Sequence, residues 1–139
     1  MRVFIDTSAF IALLIPSQQW HAACVRKYQG YVKHGALFFT NTLVLAELYT
    51  RLMYDLGSAT CRRVMKHINK LQEEGALRVF QVDAVAFSEA QKVMLRFGEH
   101  TLSLTDASIY AAVRLYDLDE VFTLDSDFRK IGLRDGGLR

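Results

Sequence analysis

Short apolar runs alternate with longer amphipathic stretches along the whole chain, and this alternation constrains the fold more than any other feature. The runs are Val3–Ile5, Ala36–Thr40, Leu77–Val82 and Glu120–Leu124, rich in the β-branched and aromatic residues of strands buried on both faces. Helical stretches separate them. Ala9–Leu14 comes first, behind Thr7 and Ser8 as capping hydroxyls. Trp20–Lys33 follows, with Trp20, Ala23, Cys24, Tyr28 and Tyr31 on one face and Gly35 past its end. A helix capped by Asn41 or Thr42 runs to Gly57 with Leu45, Leu48, Tyr49 and Leu52 as its stripe, and Ser58 opens another to about Glu74. Asp83 caps Ala84–Phe97, and Thr105 caps Asp106–Tyr116. Strands alternating with helices imply βαβ units. The predicted class is therefore α/β, with helices on both faces of a mostly parallel sheet of four to five strands. The fifth would be a short edge strand within Ile131–Arg139. No repeat or linker interrupts the 139 residues, so 1–139 reads as one domain.

Composition excludes more than it selects. Hydrophobic residues make up 51% and charged residues 23%, ordinary values for a globular protein, and the net charge is +2. No polyelectrolyte footprint advertises nucleic acid, although a basic face can sit within a balanced total. Cys24 and Cys61 belong to no CxxC or Cys/His pattern and read as buried thiols in a reducing compartment. No stretch approaches the ~18 apolar residues that span a bilayer. The first strand begins almost at Met1, without the segments of a signal peptide, so the chain reads as cytoplasmic and free of the membrane.

Four acids fall where such a fold concentrates chemistry. In right-handed βαβ units, strand C-termini and the N-termini of the following helices share one edge of the sheet. Asp6 ends the first strand, Glu47 lies in the second turn of the helix after the second, Asp106 opens a helix and Asp125 ends the fourth strand. Each has a plain structural reading. Asp6 can cap a helix, Asp106 suits a helix dipole, and Glu47 lies opposite Leu45, Leu48 and Leu52. Asp106 is nevertheless in line with Val113, on the apolar side. Four carboxylates brought together repel, and one would take up a proton unless a cation compensates. Carboxylates with no Cys or His among them suit a hard ion, one or two Mg²⁺ or Mn²⁺, of the kind that serves phosphoryl chemistry.

FIDTSAFIALL at the start, TNTLVLAEL around Glu47, LTDASIYAAV around Asp106 and VFTLDSDFRKIG around Asp125 together resemble the PIN-domain nucleases, and among them the VapC-type toxins of prokaryotic toxin–antitoxin pairs. The resemblance implies a three-layer α/β/α sandwich. It implies that Asp6, Glu47, Asp106 and Asp125 form the catalytic, metal-binding quartet, with Asp127 at a variable fifth position and Thr7 and Thr123 supporting the acids. It further implies metal-dependent cleavage of RNA leaving a 5′-phosphate and a 3′-hydroxyl, a homodimer, and a cognate antitoxin that docks on the helix pair of residues 41–74. Basic residues that would meet RNA phosphates are Arg62, Arg63, Lys66 and Lys70 in one run, and Arg114, Arg129, Lys130 and Arg134 in another.

Other assignments to this topology meet obstacles. A haloacid-dehalogenase-like phosphatase needs a second Asp two positions after the first, where this chain has Ser8, and the P-loop motif is absent. Two alternatives stay open: a PIN-like module that binds RNA or protein without cutting, and a PIN nuclease outside toxin–antitoxin systems.

Overall fold

Val3, Phe4 and Ile5 are buried in the computed structural model, which describes residues 1–139, and their strand β1 (Arg2–Ile5) lies inside the sheet. The other strands are β2 (Leu37–Asn41), β3 (Arg78–Phe80) and β4 (Glu120–Phe122). The sheet order is β3-β2-β1-β4 and every pairing is parallel, with Phe4 opposite both Phe39 and Val121. Successive side chains on a strand point to opposite faces, so β2 supplies two cores at once. Phe38 packs against Tyr28 and Tyr31 on one face, while Phe39 stacks on Phe80 on the other.

Helices α1 (Thr7–Leu14), α2 (His21–Lys33) and α3 (Thr42–Glu73) pack together, and α4 (Ala84–Arg96) pairs extensively with α5 (Leu104–Leu115). The short α6 (Asp127–Lys130) follows β4. The predicted α/β/α arrangement about a parallel sheet is therefore present. No helix is long and apolar enough to cross a membrane. Cys24 and Cys61 are buried free thiols, as expected.

Several boundaries differ from the sequence expectation, each for a local reason. Asp6 itself caps α1 by accepting from the Thr7 N–H, which leaves Thr7 and Ser8 inside the helix. Ser103, not Thr105, caps α5, because Asp106 three residues on completes a reciprocal capping box with it. The two helices expected on either side of Gly57 are present as the two arms of α3, and they meet as expected at a kink where Gly57 takes φ +86°, a conformation glycine reaches without steric cost. Strands three and four are shorter than predicted. The fifth strand does not form: Gly136 and Gly137 take φ +73° and +70°, and the tail meets β4 through a backbone bond from the Val121 N–H to the Arg134 carbonyl at 2.8 Å.

Candidate active site

Asp6 and Thr123 each stand one residue beyond an adjacent strand, β1 and β4, and the Asp6 N–H donates to the Phe122 carbonyl at 3.0 Å. The Asp6 side chain is therefore held at the C-terminal edge of the sheet, only 6% exposed. Its Oδ1 accepts from the Thr7 N–H at 2.7 Å, and its Oδ2 from the Thr123 hydroxyl at 2.8 Å and the Ser8 hydroxyl at 3.3 Å. No Lys, Arg or His pairs with it. Burial raises its pKa from 3.8 to about 6, against the pull of the Thr123 and Thr7 bonds and with help from the charges of Asp106 and Glu47.

The remaining acids join the same neighbourhood. Asp106 is half-buried, and its carboxyl is pushed upward by burial and by the charges of Asp125 and Glu47, while its bonds to Ser103 act in the other direction. Glu47 lies 3.9 Å from Arg51 on the next turn of α3. The Asp125 N–H donates to the Thr123 hydroxyl oxygen at 2.9 Å, and its Oδ1 accepts from the Asp127 N–H at 2.9 Å. Asp127 pairs with Lys130 at 2.5 Å, which holds its carboxyl below the usual range. The donor set is entirely oxygen and lacks a compensating cation at its buried member, which fits a hard divalent ion. As the side chains stand, each carboxylate is turned to a protein partner, and no three His, Cys, Asp or Glu side chains are grouped tightly enough to share an ion.

Hydroxyls around Asp6 distribute differently from expectation. Thr7 contributes its backbone N–H, and its own Oγ1 is buried without a partner. Ser8, read from sequence only as a cap, instead bridges the site. Its Oγ lies 3.2 Å from Thr123 Oγ1 and accepts from the Leu124 N–H at 2.9 Å. The available signal was its position within the first turn after Asp6. Asn41 and Ser108 were also not foreseen as a pair: Asn41 Nδ2 donates to Ser108 Oγ at 3.0 Å, joining the helices that carry Glu47 and Asp106.

Of the basic residues, Arg62, Arg63 and Lys66 are exposed on the second arm of α3, and Lys70 lies 3.9 Å from Glu74. Arg114 is exposed, its guanidinium 5.3 Å from the Tyr110 ring centre. Arg129 is held at the surface by the C-terminal tail, bonding Asp135 Oδ2 through Nε at 3.1 Å and Nη2 at 2.8 Å, and Lys130 is held by Asp127.

The PIN domain family profile matches residues 3–133. A search of curated proteins returns no match. Among solved structures, VapC20 of Mycobacterium tuberculosis, a Sarcin-Ricin loop cleaving toxin, superposes with a TM-score of 0.82 at 23% identity, covering 94% of this chain and 95% of that one. VapBC2 of Rickettsia felis, bound to a DNA fragment from its promoter, gives 0.71 at 12% identity over 97% and 96%. A toxin–antitoxin complex from Klebsiella pneumoniae gives 0.57 at 16% identity over 94% and 92%.

Proposed function

The chain belongs to the PIN-domain family, and from that premise we propose that it is a metal-dependent endoribonuclease and the toxin of a toxin–antitoxin pair. The observation that carries the reading is the buried, cation-free Asp6, whose carboxyl feels the charges of Asp106 and Glu47 while Asp106 feels that of Asp125. A fold that keeps so costly a cluster has use for an ion there. Asp6, Glu47, Asp106 and Asp125 would hold one or two Mg²⁺ or Mn²⁺, with Asp127 as a fifth candidate. Such an ion, when bound, makes water nucleophilic near neutral pH and offsets charge on a phosphodiester.

The protein's own groups prepare that site. Thr123 and Ser8 hydrogen-bond Asp6 in its charged form and fix its orientation. The same Thr123 oxygen anchors the Asp125 backbone, so one hydroxyl ties two of the acids together. Phosphates approaching an acidic edge need cationic company, for which exposed Arg62, Arg63, Lys66 and Arg114 are available. The fold likeness to a toxin–antitoxin complex supports an antitoxin partner. Met53, Tyr54 and Leu56, exposed before the bend of α3, are apolar surface suited to a protein partner. A homodimer is proposed with it, to be read by light scattering.

The test is incubation of a labelled single-stranded RNA pool with Mn²⁺. Cleavage is expected, with loss on adding EDTA and in Asp6→Asn and Asp106→Asn. RNA that is bound but never cut, whatever the divalent ion, would overturn the nuclease reading in favour of a binding module.

A further inference from the structure

A cleft of about 560 Å³ opens between the end of β3, α4 and α5, within the roughly 300–1,000 Å³ of small-molecule sites. Asn41 and Ser108 line it. Asn41 caps the helix bearing Glu47, and Ser108 lies two residues after Asp106, so the cleft adjoins the acidic edge. The other lining groups divide by chemistry. Phe39, Phe80 and Tyr116 form a ladder of near-parallel rings, with centroids 5.4 and 3.9 Å apart. Tyr116, its last ring, is half-buried and lines the cleft. Arg96 and Arg114 also line it, and neither pairs with a carboxylate. Glu89, the one lining acid, is held by Lys92 at 3.1 Å.

An aromatic surface beside two unneutralised guanidiniums matches a flat ring carrying an anion. Tyr116 lies ten residues of α5, about 15 Å, beyond Asp106, and we propose that this cleft binds an unpaired nucleotide of the RNA strand a few positions along from the cut phosphodiester, with its base on Tyr116 and its phosphate at Arg96 and Arg114. Base stacking on aromatic rings with Arg at the backbone is the general mode for single strands. A smaller cavity of about 170 Å³, between α1, α2 and the far arm of α3, is lined almost wholly by apolar side chains and lacks that chemistry. The inference rests on the nuclease reading for the strand's location, and binding tests it separately from cleavage.

Fluorescence anisotropy of the full chain with a short labelled single-stranded RNA, in EDTA so that nothing is cut, reads the cleft directly. The Arg96→Ala/Arg114→Ala double variant, altered only at exposed positions, should bind about tenfold more weakly with an unchanged melting temperature, and Tyr116→Leu similarly, while Tyr116→Trp keeps affinity. An abasic strand of the same length should bind wild type as weakly as Tyr116→Leu binds RNA. Equal affinity for abasic and normal strands, or undiminished binding by the arginine variant, overturns the site. Full displacement of the RNA by a poly-glutamate peptide also overturns it, in favour of an acidic protein partner. RNA cleavage with Mn²⁺ alongside unaltered variant binding would remove the cleft and leave the nuclease. Base-dependent, arginine-dependent binding without cleavage would do the reverse.

Discussion

Thr123 and Asp6 meet across 117 positions of sequence, the Thr123 hydroxyl donating to Asp6 Oδ2 at 2.8 Å while its oxygen accepts from the Asp125 N–H at 2.9 Å. This contact exists because β1 and β4 are neighbours and both end one residue earlier. Thr123→Val keeps the shape and removes both bonds. The Asp6 carboxyl should then titrate above its present value of about 6, moving the acid limb of the pH–rate profile upward. Affinity for Mn²⁺ should fall about 10- to 100-fold, as when an outer-shell partner is lost. A Thr123→Val enzyme with an unmoved pH profile would reduce Thr123 to a packing residue.

Asp6→Asn should stabilise the metal-free protein at neutral pH. A carboxyl with a higher pKa folded than unfolded binds more protons in the folded state. Its contribution is greatest below the unfolded value of about 3.9 and is lost as pH rises through about 6. The loss is on the order of 2–3 kcal/mol, and Asp106, shifted the same way, adds to the slope. Urea unfolding in EDTA should show Asp6→Asn more stable than wild type by about 1–2 kcal/mol at pH 7 and level with it near pH 4. A constant difference between the two pH values would contradict the assignment.

Divalent ions should raise the melting temperature of the wild type, because an ion bound only by the native state adds stability. The gain is about 2.7 kcal/mol at a hundredfold excess over the dissociation constant. The carboxylates as they stand share no ion-sized group, so binding has to draw them from their present partners, and affinity should be modest. Asp6→Asn should respond less, and EDTA should reverse both responses. Identical shifts in the two proteins would exclude Asp6 as a ligand.

Much of this is legible in the sequence, and the part that is not has a physical pattern. Asp6 and Asp125 follow apolar strands, and strand ends are marked by a change of chemistry that a sequence displays. Asp106 does fall in the first turn of α5, but the sequence reading takes Thr105 as the cap, and the reciprocal bond between Ser103 and Asp106 puts the cap two residues earlier. Ser8 was hidden by a general habit of its residue type, since serines near helix starts usually cap. The cleft at Tyr116 depends on where α4 and α5 cross the sheet, and periodicity along one helix carries no information about a crossing. Arg129 looked like a phosphate contact because its partner, Asp135, comes within reach only once Gly136 and Gly137 turn the tail.

That last pairing makes a prediction opposite to the one its sequence position suggests. Asp135 is 8% exposed, and Arg129 bonds its Oδ2 through two nitrogens while the Gly137 N–H bonds Oδ1 at 3.1 Å. Arg129 also reaches the Arg139 carbonyl at 2.7 Å, closing the tail on itself beside β4. Removing one partner of a buried ion pair strands the other, at a cost of about 3–5 kcal/mol when both are buried. The Arg129 side chain is 55% exposed, so screening by water reduces this to about 1–2 kcal/mol. Arg129→Ala should therefore lower the melting temperature by several degrees, at about 4 °C per kcal/mol for a domain of this size, and leave RNA affinity nearly unchanged. Arg129→Lys should rescue only part of it, because an ammonium cannot reproduce the two-nitrogen fork. Weakened RNA binding with an unaltered melting temperature would instead place Arg129 on the substrate.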